Sequence, residues 1–178
     1  SGRVVITGSH PEGVAVGERL EMMAAMMQYA MDGNGIEKIK GELAPGELRE
    51  MNKSTADADP LYTKIGDLQY HHFKVNVPAK TKKLKISLKG YNKNDDFDLS
   101  LCAKAGEFAF HHNTTIKNVS EGCWKELMID TPKAGEWYIS VRCENTVETH
   151  NGKYGTEYVE GKEVLNGVPY KIMVEFEK

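Results

Sequence analysis

Phe73-Lys74-Val75-Asn76-Val77 and Leu84-Lys85-Ile86-Ser87-Leu88 decide the fold. In both, every second residue is apolar, so an extended chain carries one greasy side and one polar side. The period recurs downstream. Leu99 and Leu101 alternate with Asp98, Ser100 and Cys102; Ile139, Val141 and Cys143 alternate with Ser140 and Arg142; Tyr170, Ile172, Val174 and Phe176 alternate with Lys171 and Glu175. Leu127 and Ile129 follow the same rule against Glu126 and Asp130, with Met128 intervening. Gly90-Tyr91-Asn92, Lys104-Ala105-Gly106, Pro132-Lys133-Ala134-Gly135 and Asn151-Gly152 supply turns between the runs. Many short strands, each apolar on one face, predict a mainly β protein built as an antiparallel sandwich.

Moving toward the N-terminus, Ile39 to Met51 is split by Ala44-Pro45-Gly46 and is expected to form a further hairpin. Ser54 to Pro60 reads as a polar loop. The first residues obey a different period. Val4-Val5-Ile6 is a continuous β-branched run suited to a strand covered on both faces. From Gly17 to Met31, Leu20, Met23, Ala24, Met27 and Ala30 recur at helical steps, and Gly33 stands where a left-handed cap belongs. One strand and one helix cannot close a core. Residues 1–35 are therefore expected to be the end of an α/β domain whose body lies upstream, residues 36–66 a linker with the extra hairpin, and residues 67–178 the sandwich.

The composition narrows the function classes. Twenty-three Lys and Arg against 26 Asp and Glu leave a net charge of −3 over 178 residues, which argues against a nucleic-acid or anionic-membrane footprint. The sequence has no apolar run long enough for a transmembrane helix. Three cysteines (Cys102, Cys123 and Cys143) fit no zinc spacing and leave at least one thiol without a partner inside the chain.

Two family resemblances attach to particular residues. Gly2-Arg3-Val4-Val5-Ile6-Thr7-Gly8-Ser9-His10-Pro11-Glu12 resembles the last catalytic strand and loop of class I glutamine amidotransferase-like domains, where a strand ends in His-Pro-Glu and a helix follows. The resemblance implies that His10 is the general base of a Cys-His-Glu hydrolase and that Glu12 orients it. The Gly-flanked cysteine elbow of that family is missing from these residues, so the chain by itself is expected to be inactive. Asn94-Asp95-Asp96-Phe97-Asp98-Leu99-Ser100-Leu101, Glu121-Gly122-Cys123-Trp124-Lys125-Glu126-Leu127 and Thr131-Pro132-Lys133-Ala134-Gly135-Glu136-Trp137-Tyr138-Ile139-Ser140-Val141 resemble the bacterial pre-peptidase C-terminal domain. That second likeness covers Tyr70 to Lys178 and implies a jelly-roll-like sandwich appended to a secreted or periplasmic hydrolase.

Three candidate sites follow. Asn92, Asn94, Asp96 and Asp98 form the densest cluster of oxygen donors, a donor type that suits calcium; an Asp- and Asn-rich turn is the plainer reading. His71-His72 and His111-His112 invite a transition-metal reading. Adjacent strand residues point to opposite faces, however, so surface histidines are the expected explanation. Trp137 is assigned to the core. Trp124 is the expected exposed platform for a glycan or peptide, because an indole offers large contact area at low entropic cost. The function expected from these readings is a non-catalytic accessory sandwich of an amidotransferase-like hydrolase, binding substrate or a surface. The alternatives are a stand-alone carbohydrate- or protein-binding adhesion module and a calcium-stabilised spacer.

Overall fold

The computed structural model describes residues 39–54, 59–91, 97–153 and 155–178. The chain divides between Glu37 and Lys38, and all the described residues belong to the second unit. Val4 to Ile6, the helix expected over Gly17–Met31, His10 and Glu12 lie outside the described residues, as do Asn92, Asn94 and Asp96.

Two sheets face one another across a single core. The first contains β1 (Ile39–Glu42), β3 (Tyr70–Val77), β5 (Leu99–Ala105), β6 (Ile116–Asn118) and β8 (Gly135–Cys143), in the order β1-β3-β8-β5-β6. The second contains β2 (Arg49–Met51), β4 (Lys83–Gly90), β7 (Lys125–Asp130) and β11 (Tyr170–Glu177), in the order β2-β11-β4-β7. A separate ribbon pairs β9 (Glu148–Gly152) with β10 (Gly155–Glu160). Single 3-10 turns stand at Pro60–Tyr62 and Lys162–Asn166, and no α-helix occurs among the described residues.

The six strands expected from period two are all present, and their alternation explains the core. Phe73, Val75 and Val77 of β3 meet Leu84, Ile86 and Leu88 of β4, with Ile139 and Val141 of β8 and Ile172 and Val174 of β11; each is buried to within about a hundredth of its surface. Trp137 is buried here too, as expected, and its Nε1–H donates to Lys133 O at 2.8 Å.

Two expectations are corrected. Ile39 to Met51 forms two strands about the predicted turn, but they do not pair as a hairpin. β1 runs parallel to β3 in the first sheet, while β2 pairs antiparallel to β11 in the second. The sandwich is therefore not wholly antiparallel, and the segment expected as a linker contributes Leu43, Met51 and Ile65 to the core. Arg49 joins these two edges. Its guanidinium donates to Lys40 O, to Glu42 O at 3.3 Å and to Leu61 O at 2.9 Å, and lies 4.4 Å from the centre of the Tyr62 ring. Gly41, at φ +110°, lets β1 approach that guanidinium; a Cβ there would stand 3.1 Å from Arg49 Nη1.

The second correction concerns the histidines. His71 and His72 are buried, not superficial. His71 points into the core, where its Nδ1 is 2.8 Å from Tyr170 Oη of the facing sheet. His72 points to the other side and packs beneath the β5–β6 loop. Its ring meets Phe108 and Phe110 edge-on at 4.9 and 5.1 Å, stacks on Tyr70 at 5.6 Å, and places Nδ1 2.7 Å from Ser140 Oγ.

Candidate functional site on the four-stranded face

The two outer faces of the sandwich differ. On the five-stranded sheet, the β5–β6 loop folds back so that Phe108 and Phe110 cover His72, and Phe108 also packs on Tyr138 with ring centres 4.7 Å apart. Burial under this cover drives the His72 pKa down to about 4. In the core, burial followed by the nearby Lys40 charge drives His71 down to about 3.

Within the covered face, Ser100 Oγ lies 2.6 Å from His111 Nε2, and Glu144 Oε1 lies 3.0 Å from the same nitrogen. A serine, a histidine and a carboxylate at these distances suggest nucleophilic catalysis. The geometry argues otherwise. A triad needs the carboxylate on the imidazole nitrogen opposite the nucleophile, so that it fixes the tautomer, whereas here serine and glutamate compete for one nitrogen. Ser100 is also 1% exposed. Burial lowers the His111 pKa, although Glu144 pulls the other way. This cluster fastens the loop to the sheet.

The face of the four-stranded sheet is open. Strand register aligns Glu50 of β2, Lys171 of β11 and Lys89 of β4 in one row. Trp124, immediately before β7, extends the row, because Leu88 pairs with Lys125. The Lys89 ammonium lies 5.8 Å from the centre of the Trp124 ring. At the opposite end, Lys171 Nζ sits 4.5 Å from the centre of the Tyr91 ring and 2.8 Å from Glu50, and Tyr91 Oη donates to Glu50 at 3.1 Å. Three strand spacings separate the ends of the row, about 14 Å. Trp124 is 53% exposed, and with Ser87, Lys89 and Glu126 it borders an open depression of about 210 Å³.

A fixed loop presents that indole. Lys125 is buried; its Nζ donates to Glu121 O at 2.8 Å and to Gly122 O. Gly122 N–H donates to the Asp98 carboxylate, Cys123 Sγ–H donates to Phe97 O at 2.7 Å, and Leu99 N–H donates to Gly122 O at 3.3 Å. Burial lowers the Lys125 pKa, partly offset by the Asp98 charge. Asp98, expected as one of four calcium donors, thus has one carboxylate oxygen holding the Trp124 loop. Among the described residues, no three His, Cys, Asp or Glu side chains gather as a metal site.

Trp124 is exposed, as expected from the sequence, but the residues that set its loop were not expected. A lysine at the first position of a strand reads as surface, and nothing in its local pattern reveals that its ammonium satisfies two loop carbonyls. Cys102, Cys123 and Cys143 are all buried. A further depression, about 230 Å³ beside Arg49 and Tyr62, is bordered by a guanidinium already donating to three carbonyls.

No protein-family model matches the sequence, and no curated protein matches it. Among solved structures, the chain is similar to the pre-peptidase C-terminal domain of collagenase from Bacillus anthracis, at 13% identity and a TM-score of 0.46, covering 79% of this chain and all of that one. It is also similar to Aeromonas hydrophila PliG, a periplasmic lysozyme inhibitor of g-type lysozyme, at 11% identity and a TM-score of 0.44, covering 80% of this chain and all of that one. These are likenesses of fold. Neither supports the amidotransferase-like reading.

Proposed function

We propose that this jelly-roll-like sandwich is a non-catalytic binding module of a secreted or periplasmic bacterial hydrolase, and that it binds a glycan across the open four-stranded face. The observation that carries the reading is the half-exposed Trp124 indole, whose loop is held by Asp98 and Lys125 and which is flanked by Lys89, Ser87 and Glu126. An indole face receives the apolar C–H side of a sugar ring, while neighbouring polar groups exchange hydrogen bonds with its hydroxyls. Because the loop is already ordered, little conformational entropy is lost when a ligand settles on it.

The lysine at the indole favours sugars that carry a carboxylate over neutral ones. The test is titration with soluble oligosaccharides, chitohexaose as the neutral probe and a hyaluronan octasaccharide as the acidic one, followed by tryptophan emission. Trp137 is buried, so a change on binding reports Trp124. Trp124→Ala, which removes the reporter, should abolish binding measured by calorimetry and leave the melting temperature unchanged. Lys89→Ala should weaken the acidic sugar selectively. Absence of binding by either sugar would remove the glycan reading.

A further inference from the structure

The β9–β10 ribbon belongs to neither sheet. Every residue of the two strands is exposed except the half-buried Gly152. Its base is fixed at both ends: Val147 packs against the core just before β9, and Val164 is buried just after β10. Gly161, in the left-handed region, passes so close to Thr146 that a Cβ would lie 2.6 Å from Thr146 O. The ribbon is thus held at its root and open along its length.

Two-stranded ribbons are marginal in water by themselves, and an edge strand offers a row of backbone donors and acceptors to any strand that can pair with it. β10 reads Gly155-Thr156-Glu157-Tyr158-Val159-Glu160, with Tyr158 50% and Val159 54% exposed. The register places Glu157 opposite His150 and Glu160 opposite Glu148. Glu148, Glu157 and Glu160 make the strands acidic around an apolar centre. A second copy pairing along the same edge would bring like charges together, which opposes association.

We propose that the β9–β10 ribbon is a docking arm that accepts an extended, lysine- or arginine-rich segment of a partner protein as a third strand along β10. Main-chain hydrogen bonds supply the pairing. The register shift between Tyr158 and Glu160 brings Glu157 and Glu160 to one face of the ribbon, where cationic side chains of the segment meet them, and its apolar residues cover Tyr158 on the other face. This surface is independent of Trp124.

The test uses the full chain and a capped alternating Lys-Val octapeptide, with the matching Glu-Val octapeptide as control, read by amide exchange and chemical shifts. The Lys-Val peptide should slow exchange along β10 and shift β9 and β10 amides. Binding should weaken about tenfold in Glu157→Lys/Glu160→Lys and at high salt, and should be unchanged in Trp124→Ala. Peptide N-methylated at alternate positions should not bind. The proposal is overturned if β10 amides gain no protection, if the Glu-Val peptide protects them equally, or if they become protected simply as protein concentration rises, which would assign the edge to a second copy.

Discussion

A histidine buried without its charge makes a protein sensitive to acid, and this protein buries one on each side of β3: His71 in the core and His72 beneath the β5–β6 loop. The sign follows from the shifts. With folded pKa values of about 3 for His71 and about 4 for His72, the unfolded chain binds more protons as pH falls below the ordinary histidine value. Their contribution is fully present above about pH 6.5 and is lost progressively toward the folded values. At about pH 5 each costs on the order of 2 kcal/mol relative to neutral pH. Urea unfolding across this range should show that decline, and His71→Gln, which keeps a hydrogen-bonding partner for Tyr170, should flatten it. Equal slopes in the two proteins would remove His71 from the account.

The thiols are governed by the same burial with the opposite charge. Burial raises Cys102 to about 11 and also raises Cys143, so neither forms much thiolate near neutral pH. A thiol-reactive dye should label all three cysteines after guanidinium unfolding and none rapidly in the native protein. Fast native labelling would show that one of them opens to solvent.

Among the elements, the loop before β7 connects a buried charge to an exposed ring. Removing the Asp98 carboxylate leaves Gly122 N–H without that acceptor and takes the compensating charge from Lys125. Asp98→Ala should cost about 1–3 kcal/mol in stability and increase acrylamide quenching of Trp124, while Asp98→Asn should keep most of the loop order. The ribbon obeys different rules, since its exposed side chains add little to the core. Replacing Glu148–Glu160 by two glycines between Val147 and Gly161 should change stability by less than about 1 kcal/mol. A larger loss would mean that the ribbon supports the sheets.

At the scale of the molecule, the core is common to both sheets, so one large truncation should be felt across it. Phe73 is fully buried, and Phe73→Ala should cost about 3–5 kcal/mol, measured as a displaced denaturant midpoint in a single transition. Two separate transitions within Lys38–Lys178 would contradict a shared core.

Local chemistry was enough to read the six long strands, the buried Trp137 and the exposed Trp124, because side-chain direction alternates along any extended chain and each of these residues states its own preference. β1 and β2 were legible as short strands about a turn, but their partners were not: a three- or four-residue strand pairs with whichever edge the rest of the fold leaves open. β6, β9 and β10 lack a clean apolar alternation and depend on pairing alone. The positions of His71, His72 and Lys125 were decided only by the tertiary structure. A polar side chain enters a protein interior when it finds hydrogen-bonding partners there: Tyr170 and Ser140, distant in sequence, meet the two histidines only after the chain has folded, and the Glu121 and Gly122 carbonyls, four and three residues before Lys125, face its ammonium in the loop that Asp98 holds.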